Sequence, residues 1–259
     1  MKIISNKTRL IKFIKSEKNL GFVPTMGAIH SGHKSLIKRS IDECDKTIVS
    51  IFINKPQFNR KSDYKKYPRL IKKDINILKK LKINYLYLPS EKQIYPSGRN
   101  KNIKVDPFSK KLCGKHRPGH FEAITDVVER FINIIKPKKI YFGEKDFQQL
   151  KIIENFLNKN YVKIKVVACK TIRENNGIPY SSRNLLLSLK EKEIASKIYR
   201  LLLLNKKKII KNKKLINYFK KRIMMFGVNK IDYLEIKNIN KIIKPYKRKK
   251  NIKFLFHTI

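Results

Sequence analysis

The 259-residue sequence predicts an α/β fold: a mostly parallel sheet covered by helices on both faces, with a smaller α+β domain behind it. Three observations carry that expectation. Short runs rich in Ile and Val alternate with amphipathic stretches through the first two-thirds of the chain, the pattern of strands joined by helical crossovers. The runs are apolar on both faces, as in Ile48-Val49-Ser50-Ile51-Phe52-Ile53, which suits strands buried from either side. After about residue 172 the alternation gives way to leucine-rich helices followed by two strands, so the chain divides into residues 1–172 and 173–259, joined near Thr171–Gly177.

In chain order, the first strand candidate is Gly21–Pro24, broken by Pro24 and Gly27. Leu36, Ile37 and Ile41 then repeat at helical spacing and predict a helix over 33–43. Strands follow at Thr47–Ile53, Ile83–Leu88, Ile140–Phe142 and Ile164–Ala168, with helical patterns at 70–82, 119–135 and 146–159 between them. In the second domain, helices at 190–204 and 213–226 precede strands at Ile231–Ile236 and Ile252–Phe256. The basic clusters Lys206-Lys207-Lys208 and Lys247-Arg248-Lys249-Lys250 read as solvated turns, and the sequence has no internal repeats.

With 41% hydrophobic and 10% aromatic residues, the composition is that of a globular protein long enough to bury a sizeable core. Met1 to Lys18 alternates lysines with single apolar residues and builds no apolar signal region. No apolar run reaches the length of a membrane span, so no membrane partner is expected. Cys44, Cys113 and Cys169 are odd in number and far apart, which argues against a disulfide framework or zinc site and fits a reducing cytoplasm.

The net charge of +44 invites a nucleic-acid reading, but its distribution opposes one. Residues 173–259 carry 24 Lys and Arg against 5 Asp and Glu, and residues 1–172 carry 39 against 14, so the excess is spread along the chain. Lysine largely replaces arginine and comes with abundant Ile and Asn, a signature of compositional drift. Among aromatics, Tyr246 alone stands beside a basic cluster, at Lys247. No specific nucleic-acid partner is expected.

In an open parallel sheet, ligands bind outside the carboxyl ends of the strands, and the unusual residues of this sequence fall there. The first strand runs into Thr25-Met26-Gly27-Ala28-Ile29-His30-Ser31-Gly32-His33, a glycine-rich turn with two histidines at the entrance to a helix. Unpaired N–H groups and the positive dipole end of a helix suit phosphate there, and imidazoles can donate to phosphate oxygens as charge builds. The second strand ends in Asn54-Lys55-Pro56-Gln57-Phe58 and the Ile140 strand in Gly143-Glu144-Lys145-Asp146-Phe147-Gln148-Gln149. The Ile164 strand leads through Thr171-Ile172-Arg173 to Tyr180-Ser181-Ser182-Arg183-Asn184. Four polar clusters at strand ends can converge on one crevice.

Together with Tyr67-Pro68-Arg69 and Arg117-Pro118-Gly119-His120-Phe121, these segments resemble the pantoate–β-alanine ligase family over the first domain and the start of the second. The resemblance implies a Rossmann-like nucleotidyltransferase domain of the HIGH superfamily, followed by a small lid domain. It implies attack of the pantoate carboxylate on the α-phosphate of ATP, then attack of the β-alanine amine on the pantoyl adenylate, releasing AMP and pantothenate. A homodimer is implied as well. Met26, Gly27, Ala28, Ile29, His30, Ser31, Gly32 and His33 would line ATP, with His33 the family's proton donor and His30 beside it at the reacting phosphate. Gln57 would contact both pantoate and β-alanine, and Gln149 pantoate alone. Gly143, Glu144, Lys145 and Asp146 match the family's second ATP segment, with Lys145 facing phosphate and Asp146 the ribose. Ile172 sits where the family contacts adenine through its backbone. Ser181, Ser182 and Arg183 match a mobile phosphate-binding loop, where Tyr180 stands in place of the family's usual methionine. His30, His33, Lys145 and Arg183 are thus the catalytic candidates. Mg²⁺ is implied by ATP chemistry and held mainly by phosphate oxygens. Asp74 is the candidate protein contact to it, set against the plainer reading of a helix-surface acid.

A nucleotidyltransferase of the same fold acting on a phosphorylated acceptor is the main alternative. Gln57 and Gln149 count against it, because a phosphorylated acceptor calls for Arg or Lys at those positions. An inactive relic is opposed by the intact histidine and glycine clusters.

Overall fold

The computed structural model describes residues 1–238 and 252–258. Six parallel strands form one sheet: β1 (Lys2–Ile4), β2 (Leu20–Thr25), β3 (Lys46–Ile51), β4 (Tyr85–Tyr87), β5 (Lys139–Gly143) and β6 (Lys165–Cys169). Their order in the sheet is β1-β4-β3-β2-β5-β6. The chain winds outward from β2 through β3 to β4, then returns to β5 on the other side of β2. Strand order therefore reverses between β2 and β5, which opens a crevice above their carboxyl ends.

Alternating side chains of the strands feed two cores. Phe22, Ile48, Tyr85, Tyr87, Ile140 and Phe142 point to the face covered by α1 (Lys7–Ile14), α5 (Glu91–Ile94), α7 (His120–Ile135) and α8 (Phe147–Asn160). Val23, Val49, Leu86, Tyr141 and Val167 point to the opposite face, under α2 (Ser31–Glu43) and α4 (Ile71–Lys80). This period-two division is what strands buried on both sides require. At Gly21 helix α2 packs close against the sheet: a Cβ there would collide with the Ser40 hydroxyl oxygen.

Two further short helices, α3 (Lys61–Lys66) and α6 (Cys113–His116), lie in the long connections after β3 and β4. The second unit contains α9 (Leu189–Leu204), α10 (Lys206–Lys211) and α11 (Leu215–Met224), with the antiparallel pair β7 (Ile231–Asn238) and β8 (Ile252–Thr258). Ile198, Leu202, Ile209, Phe219, Ile223 and Leu234 form its separate core.

The structure departs from expectation in places. Strand β1 and helix α1 are additional elements, and the strand expected at Ile83–Leu88 narrows to Tyr85–Tyr87. Lys206-Lys207-Lys208, expected as a turn, opens α10, whose buried Ile209 anchors it against α11. The cluster Lys247–Lys250 and Tyr246 lie outside the described residues. All three cysteines are unpaired. Among the described residues, no helix is long and apolar enough to cross a membrane.

Candidate active site

Strands β3, β2, β5 and β6 are consecutive neighbours in the sheet and run parallel, so their carboxyl ends share one edge. The four polar clusters meet there. Leaving β2, the backbone turns through Gly27 at φ +81° and Ala28 at φ +50°, the second a conformation that a non-glycine residue adopts only when held. Asp74 holds it. This residue, on α4, is 1% exposed, and its two carboxylate oxygens accept the N–H groups of Ala28 at 2.8 Å and Ile29 at 2.7 Å. Asp74 is therefore not a helix-surface acid; it is the buried staple of the turn after β2. A side chain on Gly27 would bring a Cβ to 3.0 Å from the same carboxylate.

His30 caps α2. Its Nδ1 accepts the His33 N–H at 3.4 Å, which leaves Nε2 as the protonated ring nitrogen of a neutral imidazole. The two rings stack with centroids 3.9 Å apart, and Tyr180 lies parallel to His30 at 6.2 Å. Burial, with the Lys145 ammonium behind it, lowers the His30 pKa to about 4. Burial, His30 and Lys145 hold His33 well below its ordinary value. Both imidazoles are thus neutral near pH 7, and the His33 Nδ1 is buried without a hydrogen-bond partner among the described residues. Neutral rings can stack at a positively charged helix end where two imidazolium ions would repel each other.

The β5 end supplies Gly143 and a tight turn over Glu144–Asp146. Lys145 stands 3.9 Å from the Asp146 carboxylate. The Asp146 carboxylate also acts electrostatically on His30, His120, Tyr67 and Arg183. Gln149 sits in the first turn of α8, half-buried.

At the β3 end, Gln57 closes a short turn over Lys55–Gln57. Its Oε1 accepts from the Asn54 amide at 3.1 Å, and its carbonyl accepts from His120 Nδ1 at 2.8 Å. Because a carbonyl only accepts, Nδ1 bears the His120 proton. Burial and Arg117 lower the His120 pKa to about 4. Asn54, 1% exposed, also donates to the Ala123 carbonyl at 3.2 Å and accepts the Tyr95 hydroxyl at 2.7 Å. Gln57 is thus anchored through both its side chain and its backbone.

The loop from the second unit crosses the turn. The Ser182 hydroxyl lies 3.3 Å from each of the Gly27 and Ala28 carbonyls, so it fastens loop to turn. Ser181 Oγ accepts the Arg183 N–H at 3.3 Å. The Ile172 carbonyl, expected near adenine, accepts the Tyr180 N–H at 3.1 Å. Arg183 turns its guanidinium to Asp63 of α3, with Nε to Oδ1 at 3.1 Å and Nη2 to Oδ2 at 2.8 Å. A cavity of about 220 Å³ lies between turn and loop, lined by Ala28, His30, Tyr180, Ser181, Lys73 and Lys192 among others. Neither Gln57 nor Gln149 lines it.

The described residues contain no cluster of three or more metal-ligating His, Cys, Asp or Glu side chains. Among the described residues, the lack of such a cluster, with both oxygens of Asp74 already accepting backbone N–H groups, does not fit a resident Mg²⁺ site.

Residues 2–258 match the family model of pantoate-beta-alanine ligase. The chain belongs to the pantoate–β-alanine ligase family. Among curated relatives, pantothenate synthetase of Pseudothermotoga lettingae is 38% identical over 240 residues, 91% of this chain and 85% of that protein. The same enzyme of Francisella philomiragia is 46% identical over 187 residues, 72% of each. Crystal structures agree. Pantothenate synthetase from Thermus thermophilus superposes with a TM-score of 0.89 at 28% identity, covering 100% of this chain and 95% of that one. Pantoate-beta-alanine ligase from Francisella tularensis, complexed with beta-gamma ATP and beta-alanine, gives a TM-score of 0.81 at 38% identity, covering 92% and 90%.

Within the ligase crevice, sequence reasoning missed Asn54, Asp63, Tyr95 and His120 as positioning groups. Asn54 bonds Gln57 within its own turn, but its other partners and that of His120 lie 41 to 69 residues away, where only the fold reveals them.

Proposed function

We propose that the chain condenses D-pantoate with β-alanine to pantothenate through a pantoyl adenylate, releasing AMP and pyrophosphate. The observation that carries this reading is the stacked, neutral His30–His33 pair at the carboxyl edge where strand order reverses, with the turns bearing Gln57 and Lys145 at the ends of the two strands flanking it. The family membership and the Francisella tularensis complex support ATP and β-alanine as substrates.

In the first step a pantoate carboxylate oxygen bonds to the α-phosphorus and the bond to the bridging oxygen of pyrophosphate breaks. Charge builds on phosphoryl oxygens, where His30 Nε2–H, His33 and the Lys145 ammonium stabilise it. Gln57 and Gln149 orient the acid with neutral amides, which leaves the carboxylate more nucleophilic than a salt bridge would. In the second step the β-alanine amine attacks the acyl carbon, AMP leaves and the amine loses its proton. Gln57, held from both sides, is suited to contact both acids in turn. Arg183 and Ser181 bind the phosphates, Asp146 the ribose, and Ile172 and Tyr180 border the adenine. Any Mg²⁺ required would be held mainly by the nucleotide's phosphate oxygens, where it would offset their charge.

Residues 1–172 serve as the catalytic domain and residues 173–259 as a lid, a division supported by their separate cores. A homodimer and a cytoplasmic location belong to the same reading; the three unpaired cysteines suit the second, and the first rests on the family resemblance. The amides Gln57 and Gln149 disfavour a phosphorylated acceptor. Purified protein with ATP and Mg²⁺ should release AMP in quantity only when both pantoate and β-alanine are supplied. AMP release that ignores β-alanine would sink the assignment.

A further inference from the structure

We propose that Asp63 is a positioning residue for Arg183, setting the guanidinium so that its free edge faces the ATP phosphates. The inference rests on the reading of Arg183 as a phosphate contact. The two residues lie 120 positions apart in sequence, on α3 of the first unit and on the loop leading into the second. Their contact is bidentate and side-on, Nε to Oδ1 at 3.1 Å and Nη2 to Oδ2 at 2.8 Å.

A guanidinium carries five N–H groups in one rigid plane. The pairing uses one on Nε and one on Nη2. It leaves both hydrogens of Nη1 and the outer hydrogen of Nη2, which form a second, end-on fork of the kind that grips phosphate bidentately. Among the described residues the Arg183 side chain has no other hydrogen-bond acceptor. Two aromatic rings fix it further: its central carbon lies 5.7 Å from the Phe58 centroid and 5.2 Å from that of Tyr67. Carboxylate and rings together leave the guanidinium little freedom to rotate.

Phe58, Asp63 and Tyr67 all belong to the segment that begins at the residue after Gln57. One stretch of chain thus holds the amide proposed for the two acids and the arginine proposed for the phosphates. The side chains of Arg183 and Asp63 are 42% and 30% exposed, so the pair adds little to stability. Its value is orientation, and the effect belongs on nucleotide affinity.

Steady-state kinetics of Asp63→Asn, Asp63→Glu, Arg183→Ala and the Asp63→Asn/Arg183→Ala double variant test this. Arg183→Ala should raise the KM for ATP about tenfold or more. Asp63→Asn should raise it about threefold to tenfold, with kcat within about twofold. Asp63→Glu should recover part of the loss, and Asp63→Asn should add nothing in the Arg183→Ala background. An unchanged or lower KM in Asp63→Asn, with Arg183→Ala impaired, overturns the positioning role alone; a lower value would mark Asp63 as a competitor of phosphate. An unaffected KM in Arg183→Ala removes the phosphate reading of Arg183 and the proposal with it.

Discussion

Face-to-face stacking of His30 on His33 at 3.9 Å is compatible with two neutral imidazoles, and burial and Lys145 keep both pKa values low. The role proposed for them is then hydrogen-bond donation to charge that develops during reaction. His33→Ala should lower kcat by about 10² to 10³ through slower adenylate formation in a chain that remains folded; unaltered turnover would remove His33 from the chemistry. Asp74 acts differently. Truncation by Asp74→Ala strands the buried N–H groups of Ala28 and Ile29 and should cost roughly 2–5 kcal/mol in urea unfolding. The sequence did contain a signal for this burial: Asp74 precedes Leu78 by one helical turn and so shares its inward face. What the sequence could not contain was its partner, a strained turn 45 residues earlier.

At the scale of elements, the turn after β2 and the turn after β3 are held from behind by residues that need not touch substrate. Asn54 links Tyr95 on one side to Gln57 on the other. Asn54→Ala should therefore lower kcat/KM for pantoate by about tenfold while the KM for ATP stays within about twofold. Equal losses for both substrates would point to collapse of the whole edge. The strand–helix alternation was legible because Ile and Val runs buried on both faces differ sharply from helical spacing. Strand β1, three residues long, offered no period to read. Helix α1 buries only Leu10 and Ile14, one turn apart, among lysines. The connection holding α6 was equally silent. Gly114 sits so close to the Ser109 carbonyl that no Cβ could fit, a tertiary fact without a local pattern.

For the whole molecule, pH reports on the crevice. His30 and His120 have pKa values lowered to about 4 and His33 is lowered well below its usual value, mainly by burial. An unfolded histidine titrates near 6.5. Between these values the unfolded chain binds protons that the folded chain refuses, so stability falls as pH drops from about 6.5 toward 4. The melting temperature should decline steadily over that window, and His120→Gln should shallow the decline. A flat profile would contradict neutral, buried histidines. The +44 charge belongs to this scale too. Spread along both halves, it should give weak DNA binding that disappears between about 50 and 200 mM salt and shows no sequence preference.

In the proposed first step the pantoate carboxylate attacks the α-phosphorus of ATP beside His30 and His33. Mass spectrometry of the products formed from carboxylate-¹⁸O₂ pantoate measures it directly. One labelled oxygen should appear in the phosphate of AMP and one should remain in the pantothenate amide. AMP free of label, with ¹⁸O in pyrophosphate or free phosphate instead, would contradict it.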